Sequence, residues 1–319
     1  MPGGAIISFL DAVARHGRSV LLIGLASGIG TGLVLPDLAQ ALQIIIAPVV
    51  ATLLFLAFLR LGPDGIRAGL TGWRGGTLGV LALQLALPVI AASAMRAAGT
   101  ESALALGVIL VLAAAPITGS PNLAIMSGAS APVALRQLVL GTLLLPATAL
   151  PVFLLMPGLG PPAEVGLIVL RLLALVALAC AFGLWLRKSG IVRETPESLA
   201  VIDGCATLLL AVIVIALMGA VGPALLEGSM IWPVFALVLT LGFGLQIATL
   251  LVLRNRLPGG QVAAFSQCAG NRNIALFLGV LPPALASDLF LFIGLYQIPM
   301  YLTPAVMGWL YARLRLQLA

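Results

Sequence analysis

Ten stretches of about 20 mostly apolar residues run through this chain, near 19–35, 40–60, 75–95, 101–128, 132–156, 164–186, 199–221, 229–253, 261–282 and 286–312. A helix needs about that length to cross the hydrocarbon of a bilayer. Inside lipid every backbone polar group must find its partner within the protein. The pattern therefore predicts an all-α polytopic membrane protein of ten transmembrane helices, with the lipid bilayer as its first partner. Charge agrees: of 319 residues, 61% are hydrophobic and 8% are Asp, Glu, Lys or Arg, against roughly 25% charged in a soluble domain. So few charges cannot cover a water-facing surface. A soluble enzyme, a disordered chain and a nucleic-acid binder are excluded, despite a formal net charge of +6. Cys180, Cys205 and Cys268 lie singly in apolar runs and imply neither a disulfide framework nor a zinc site.

The basic residues give an orientation. Residues 1–18, with Phe9, Asp11, Arg15 and Arg18, read as an interfacial amphipathic segment. Its basic residues follow the apolar stretch, which is the wrong order for a cleavable signal peptide. If ten spans are right, Arg15, Arg18, Arg60, Arg67, Arg74, Arg187, Lys188, Arg193, Arg254, Arg256, Arg313 and Arg315 all fall on one side. The other side keeps Arg96. Lys and Arg mark the cytoplasmic face, so both termini are expected inside, in a bacterial inner (plasma) membrane.

An internal repeat divides the spans. Gly119-Ser120-Pro121-Asn122-Leu123-Ala124 and Gly270-Asn271-Arg272-Asn273-Ile274-Ala275 share G-x-x-N-[LI]-A, and from Gly119 to Gly270 is 151 residues. Each copy falls in the fourth span of its half, 19–156 and 164–312. Five spans per half force the halves into opposite orientation, the inverted-repeat plan of secondary transporters. Each copy also carries helix breakers, Pro116, Gly119, Pro121 and Gly128 in the first, Gly270, Gly279, Pro282 and Pro283 in the second. Polar residues gather there: Thr118, Ser120 and Asn122, then Ser266, Gln267, Asn271, Arg272 and Asn273. Unwound backbone at membrane depth is tolerated where it is buried in protein or lines a wet cavity. Two readings stand at this point, a midplane binding site or kinked helices whose amides bond their neighbours.

On these residues the chain resembles the bile acid:sodium symporter family, within the wider group that includes arsenite permeases. The run Ala115-Pro116-Ile117-Thr118-Gly119-Ser120-Pro121-Asn122 is similar to that family's first crossover, a Pro-Gly-rich run leading into Ser-Asn. Cys268-Ala269-Gly270-Asn271-Arg272-Asn273 stands where the family has Glu-x-Gly-x-Gln-Asn. The resemblance implies broken crossover helices at the fourth and ninth spans. It also implies panel and core bundles interleaved across both repeats, and an anion site beside the crossover. It makes Thr118, Gly119, Ser120, Pro121, Asn122, Gln267, Cys268, Gly270, Asn271, Arg272 and Asn273 the candidate site. Gln84, Arg136 and Ser266 are weaker candidates. In the family, the glutamate and glutamine of that second run help to hold sodium; here Cys268 and Arg272 replace them.

A sodium site wants several hard oxygens, usually one of them anionic, and no Asp or Glu of this chain falls near the middle of a span. A guanidinium there repels sodium. The departures therefore argue against a sodium cofactor and for Arg272 as a positive charge provided in place. An arginine at that depth costs about 3 kcal/mol on insertion scales and is functional by default. Its partners could be backbone carbonyls, asparagines or a bound anion. The expected function is a secondary transporter of a small organic anion by alternating access. A sodium-coupled symporter and a ligand sensor on a transport fold are the alternatives. An enzyme is not expected, since paired carboxylates, a His cluster and a nucleophile with a base are all missing from the sequence.

Overall fold

The computed structural model describes residues 2–228 and 231–316. Through the first half run α1 (Pro2–Arg15), α2 (Gly17–Val34), α3 (Pro36–Ile44), α4 (Ile46–Leu70), α5 (Trp73–Val80), α6 (Leu87–Ala97), α7 (Ala103–Ala113), α8 (Ser120–Met126) and α9 (Ala131–Leu154). The second half follows with α10 (Pro162–Lys188), α11 (Pro196–Met218), α12 (Val221–Glu227), α13 (Ile231–Leu239), α14 (Leu245–Leu253), α15 (Gly259–Gly270), α16 (Ala275–Leu278), α17 (Pro283–Ser287) and α18 (Phe290–Arg313). A π-helical turn, Leu81–Ala86, joins α5 to α6, and another, Thr240–Gly244, lies between α13 and α14.

Among the described residues seven helices are long and apolar enough to cross a membrane, or eight if a bent pair near the N-terminus makes one more. The seven are Ile46–Leu70, Trp73–Ala97, Ala131–Leu154, Pro162–Lys188, Pro196–Glu227, Ile231–Leu253 and Phe290–Arg313. The other three expected spans fall on α2, which is bent sharply against α1, on α7 with α8, and on α15 with α16. In place of ten continuous spans the described residues thus hold seven or eight long apolar helices, with shorter and interrupted helices over the remaining stretches. The chain packs as two compact units, and each draws on both halves of the sequence. One takes residues up to Gly65 with Ala174–Ile231, the other Ile66–Leu173 with Trp232 onward.

In the first unit close helix packing is made by small residues. Lipid tails are as apolar as the helices, so association depends on backbones approaching closely. Gly24, Gly28 and Gly32 recur every four residues along the side of α2 that meets α11. A Cβ on Gly28 would stand 2.9 Å from Ile215 Cα, and one on Gly32 would stand 2.0 Å from Gly219 O. Gly30, on the other side, has nothing within 4 Å of such a Cβ. Gly28→Ala is thus expected to lower stability by about 1–3 kcal/mol. Gly30→Ala should be neutral or add up to about 1 kcal/mol through helix propensity. Paired thermal unfolding in one detergent checks the contrast; equal effects would mean the stripe is not a contact. The amphipathic segment α1 also lies on α11, where a Cβ on Gly204 would meet Leu10 O at 2.4 Å, and Leu10 and Val13 are buried.

The same unit shows how a proline is kept inside a span. At Pro63 the ladder loses the N–H that would reach Leu59 O, four residues back. Gly62 beside it takes a left-handed turn, φ +59°, which a residue without Cβ adopts freely. Arg187 fills the gap: Nε donates to Leu59 O at 2.7 Å and Nη2 to Arg60 O at 3.4 Å. Arg60 in turn donates through Nε to Asp203 Oδ1 at 2.5 Å. Arg187, read from the sequence as an orientation signal, also closes a broken backbone.

Candidate functional site

The two interrupted helices of the second unit meet at their unwound segments. Ile117 N donates to Asn271 O at 3.0 Å and Asn273 N donates to Ala115 O at 2.8 Å. Pro116 and Arg272 form the antiparallel bridge between them. A buried carbonyl without a partner is costly, and the carbonyls left by this unwinding are filled from several directions. Asn271 O is taken by Ile117, while Gly270 O accepts from Tyr296 Oη at 2.7 Å. Ala269 O would meet Asn273 N in a continuous helix, but that N–H is spent on Ala115 O.

Arg272 answers the carbonyls that remain. Its Nε donates to Ala269 O at 2.9 Å, Nη1 to Ala114 O at 2.9 Å and Nη2 to Leu83 O at 3.3 Å. Leu83 O is free for a definite reason. In the π turn Leu87 N–H reaches five residues back to Ala82 O, and the next residue is Pro88, which has no N–H. The side chain is 3% exposed, so its charge is held among backbone carbonyls at three different breaks. Arginine suits the task because its planar fork presents five donors at fixed angles.

Amides tie the rest. Gln267 Nε2 donates to Ser120 O at 3.1 Å, and Gln267 Oε1 accepts from Ser127 Oγ at 3.1 Å. This links α15 to α8 directly. Asn271 Nδ2 donates to Gln267 O at 2.8 Å, and its Oδ1 accepts from Thr303 Oγ1 at 3.1 Å. Ser266 Oγ donates to Gln246 O at 2.7 Å and lies 2.8 Å from Tyr311 Oη. Gln84 Nε2 donates to Gly141 O and to Thr148 Oγ1, each at 2.9 Å. Gln84 Oε1 is buried without a partner.

The candidate residues therefore separate. Ser120, Ser266, Gln267, Cys268, Gly270, Asn271, Arg272 and Gln84 are buried, and the polar side chains among them are engaged within the protein except for Gln84 Oε1. Thr118 and Asn122 are exposed, while Gly119, Pro121 and Asn273 are half-buried. These five form the accessible edge of the crossover. Arg136 is not at the crossover: its guanidinium packs against Gly72, whose Cβ would lie 3.1 Å from Arg136 Cζ, at the start of α5.

Reasoning from sequence missed Gln246, Thr148, Thr303 and Tyr296. For Gln246 the available signal was an amide side chain inside an apolar stretch. Gln246 Nε2 donates to Gly242 O at 3.0 Å and Thr303 Oγ1 at 3.1 Å, so each half has a glutamine near a π turn bonded to a threonine of its last long helix.

The carbonyls that could ligate a cation, Ala114 O, Ala269 O and Leu83 O, already accept from a guanidinium. No group of three His, Cys, Asp or Glu that could hold a metal occurs among the described residues. Comparison with models of known families and with curated proteins finds no match for this chain.

Proposed function

We propose that the chain is a secondary carrier of a small organic anion, working by alternating access, with Arg272 supplying in place the positive charge that bound sodium would otherwise bring. The observation that carries this reading is the crossover itself, two unwound segments exchanging backbone hydrogen bonds around one buried guanidinium. Irregular backbone at membrane depth is tolerated where it is buried in protein or lines a cavity, and in secondary carriers paired broken helices of this kind build the substrate site. An uncompensated positive charge in a medium of low dielectric attracts an anion without touching it. Contact with the anion then falls to Thr118, Asn122 and Asn273 on the accessible edge.

In the same reading the chain makes ten spans as two inverted halves, 19–156 and 164–312, with both termini cytoplasmic. The paired broken helices support this, as do the glutamine–threonine bonds Gln84–Thr148 and Gln246–Thr303. So does the presence of two internal prolines in α9, Pro146 and Pro151, and two in α18, Pro299 and Pro304.

Thermal unfolding of the purified protein across a set of organic acids, each with and without sodium chloride, tests the proposal, with choline chloride holding ionic strength. The expected result is an acid that stabilises equally in both salts, followed by counterflow of that acid in proteoliposomes. Stabilisation that requires sodium would overturn the built-in cation. Binding without counterflow would make the chain a sensor.

A further inference from the structure

The second unit carries its charges in a lopsided way. Three contacts gather several loop ends into one rim. A Cβ on Gly72 would meet Arg136, Ser130 N donates to Gly260 O at 2.9 Å, and a Cβ on Gly259 would lie 2.8 Å from Leu316 Cα. Arg74, Arg136, Arg254, Arg256, Arg313 and Arg315 stand on the segments thus joined. The acids of this unit are Glu101, Glu164 and Asp288. Glu101 and Asp288 belong to the opposite end, because a Cβ on Gly107 near the start of α7 would touch Phe292 at the start of α18, 2.9 Å away. The 24 residues of α18, at about 1.5 Å each, put roughly 36 Å between Phe292's end and Arg313. Glu164 opens α10, after α9 has run on from Arg136 to its end at Leu154.

None of the six arginines forms an ion pair among the described residues; the pairs Arg15–Asp11 and Arg60–Asp203 lie in the first unit. Two of the six lie instead over exposed tryptophans. Arg74 Cζ is 5.8 Å from the centroid of Trp73, and Arg313 Cζ is 5.3 Å from that of Trp309. The two rings are 55% and 61% exposed, the amphipathic placement of a residue at headgroup level. Arg136 holds a buried Nε with no partner.

We propose that this rim is a binding surface for anionic phospholipid, in which arginines receive the phosphodiester and Trp73 and Trp309 fix its depth. Charge complementarity selects the occupant: the rim has cations, exposed interfacial aromatics and no acid of its own unit. The usual cytoplasmic excess of Lys and Arg would account for the arginines as signals of insertion alone, but not for cations seated on aromatic rings. Lipid specificity is the property that separates the two.

The protein is reconstituted in nanodiscs of phosphatidylcholine alone and of phosphatidylcholine with phosphatidylglycerol. Both leaflets have the same composition, so the outcome does not depend on which way the chain faces. Retained lipid is counted by native mass spectrometry. The wild-type protein is expected to enrich phosphatidylglycerol, and Arg74→Gln with Arg136→Gln to reduce that enrichment about fivefold per charge at low salt. Arg313→Gln alone gives a second, milder reading, and Arg96→Gln at the opposite end should leave it unchanged. Equal retention of both lipids by wild type overturns the proposal. So does an equal loss in Arg96→Gln, or displacement of the lipid by inorganic phosphate at the same ionic strength.

Discussion

Arg272→Ala is expected to lower stability by about 3 kcal/mol, with three buried carbonyls each losing a charge-assisted donor. Two effects oppose each other in that substitution. Removing the guanidinium relieves the cost of holding a charge away from water, which is several kcal/mol. It also strands Ala114 O, Ala269 O and Leu83 O, and in lipid there is no water to take them. The second effect wins because the acceptors belong to backbone that Pro116, Pro88 and the 271–274 unwinding prevent from re-forming a ladder. Arg272→Lys keeps the charge but reaches one carbonyl at a time, so it should recover less than half of the loss. Thermal unfolding of the three proteins in one detergent measures this. Stabilisation of Arg272→Ala by dilute guanidinium, with no effect on wild type, would show that the cavity wants this cation in particular. A variant as stable as wild type would remove the structural basis of the proposal.

Gly270→Ala should be nearly as damaging, for a steric reason. Its Cβ would stand 2.0 Å from Gly242 O and 2.5 Å from Gln246 Cγ. The first is backbone in a π turn and cannot rotate aside. Overpacking of a tight contact costs about 1–3 kcal/mol and occasionally more; we expect the upper end, because displacing Gln246 also disturbs its bonds to Thr303 and, through it, Asn271. Gly244→Ala, in the same π turn, meets only Thr240 Cγ2 at an ordinary 3.7 Å and should be close to neutral. If both variants lose equally, the π turn itself and not the contact with Gly270 is the sensitive element.

The sequence made the membrane-spanning class legible because lipid imposes length and apolarity on every segment. It made the broken helices legible too, since Pro116, Pro121 and Gly270 disrupt the ladder wherever they stand. What stayed hidden is direction. A helix such as α7, Ala-Leu-Ala-Leu-Gly-Val-Ile-Leu-Val-Leu-Ala, is apolar all round, and periodicity cannot say which side faces a neighbour. For that reason Thr118 and Asn122, which are exposed, looked no different from Ser120 and Asn271, which are buried. Arg136 was drawn toward the crossover for the same lack of direction. The partners of Arg272 were legible only as a choice among carbonyls, amides and an anion. Pro88 was a clue that a nearby carbonyl lacked a donor, but that the orphan is Leu83 O follows only from the π turn.

The kink of α4 carries a lesson about inheritance. Pro63 and Arg187 lie 124 positions apart in the chain, yet one makes the orphan at Leu59 O and the other fills it. Neither substitution is neutral alone. A drifting lineage that lost Arg187 first would carry an unanswered carbonyl, and one that lost Pro63 first would carry an arginine whose nearer acceptor is already taken. Reading variation at the two positions jointly would reveal the kink in chains whose shapes have never been seen.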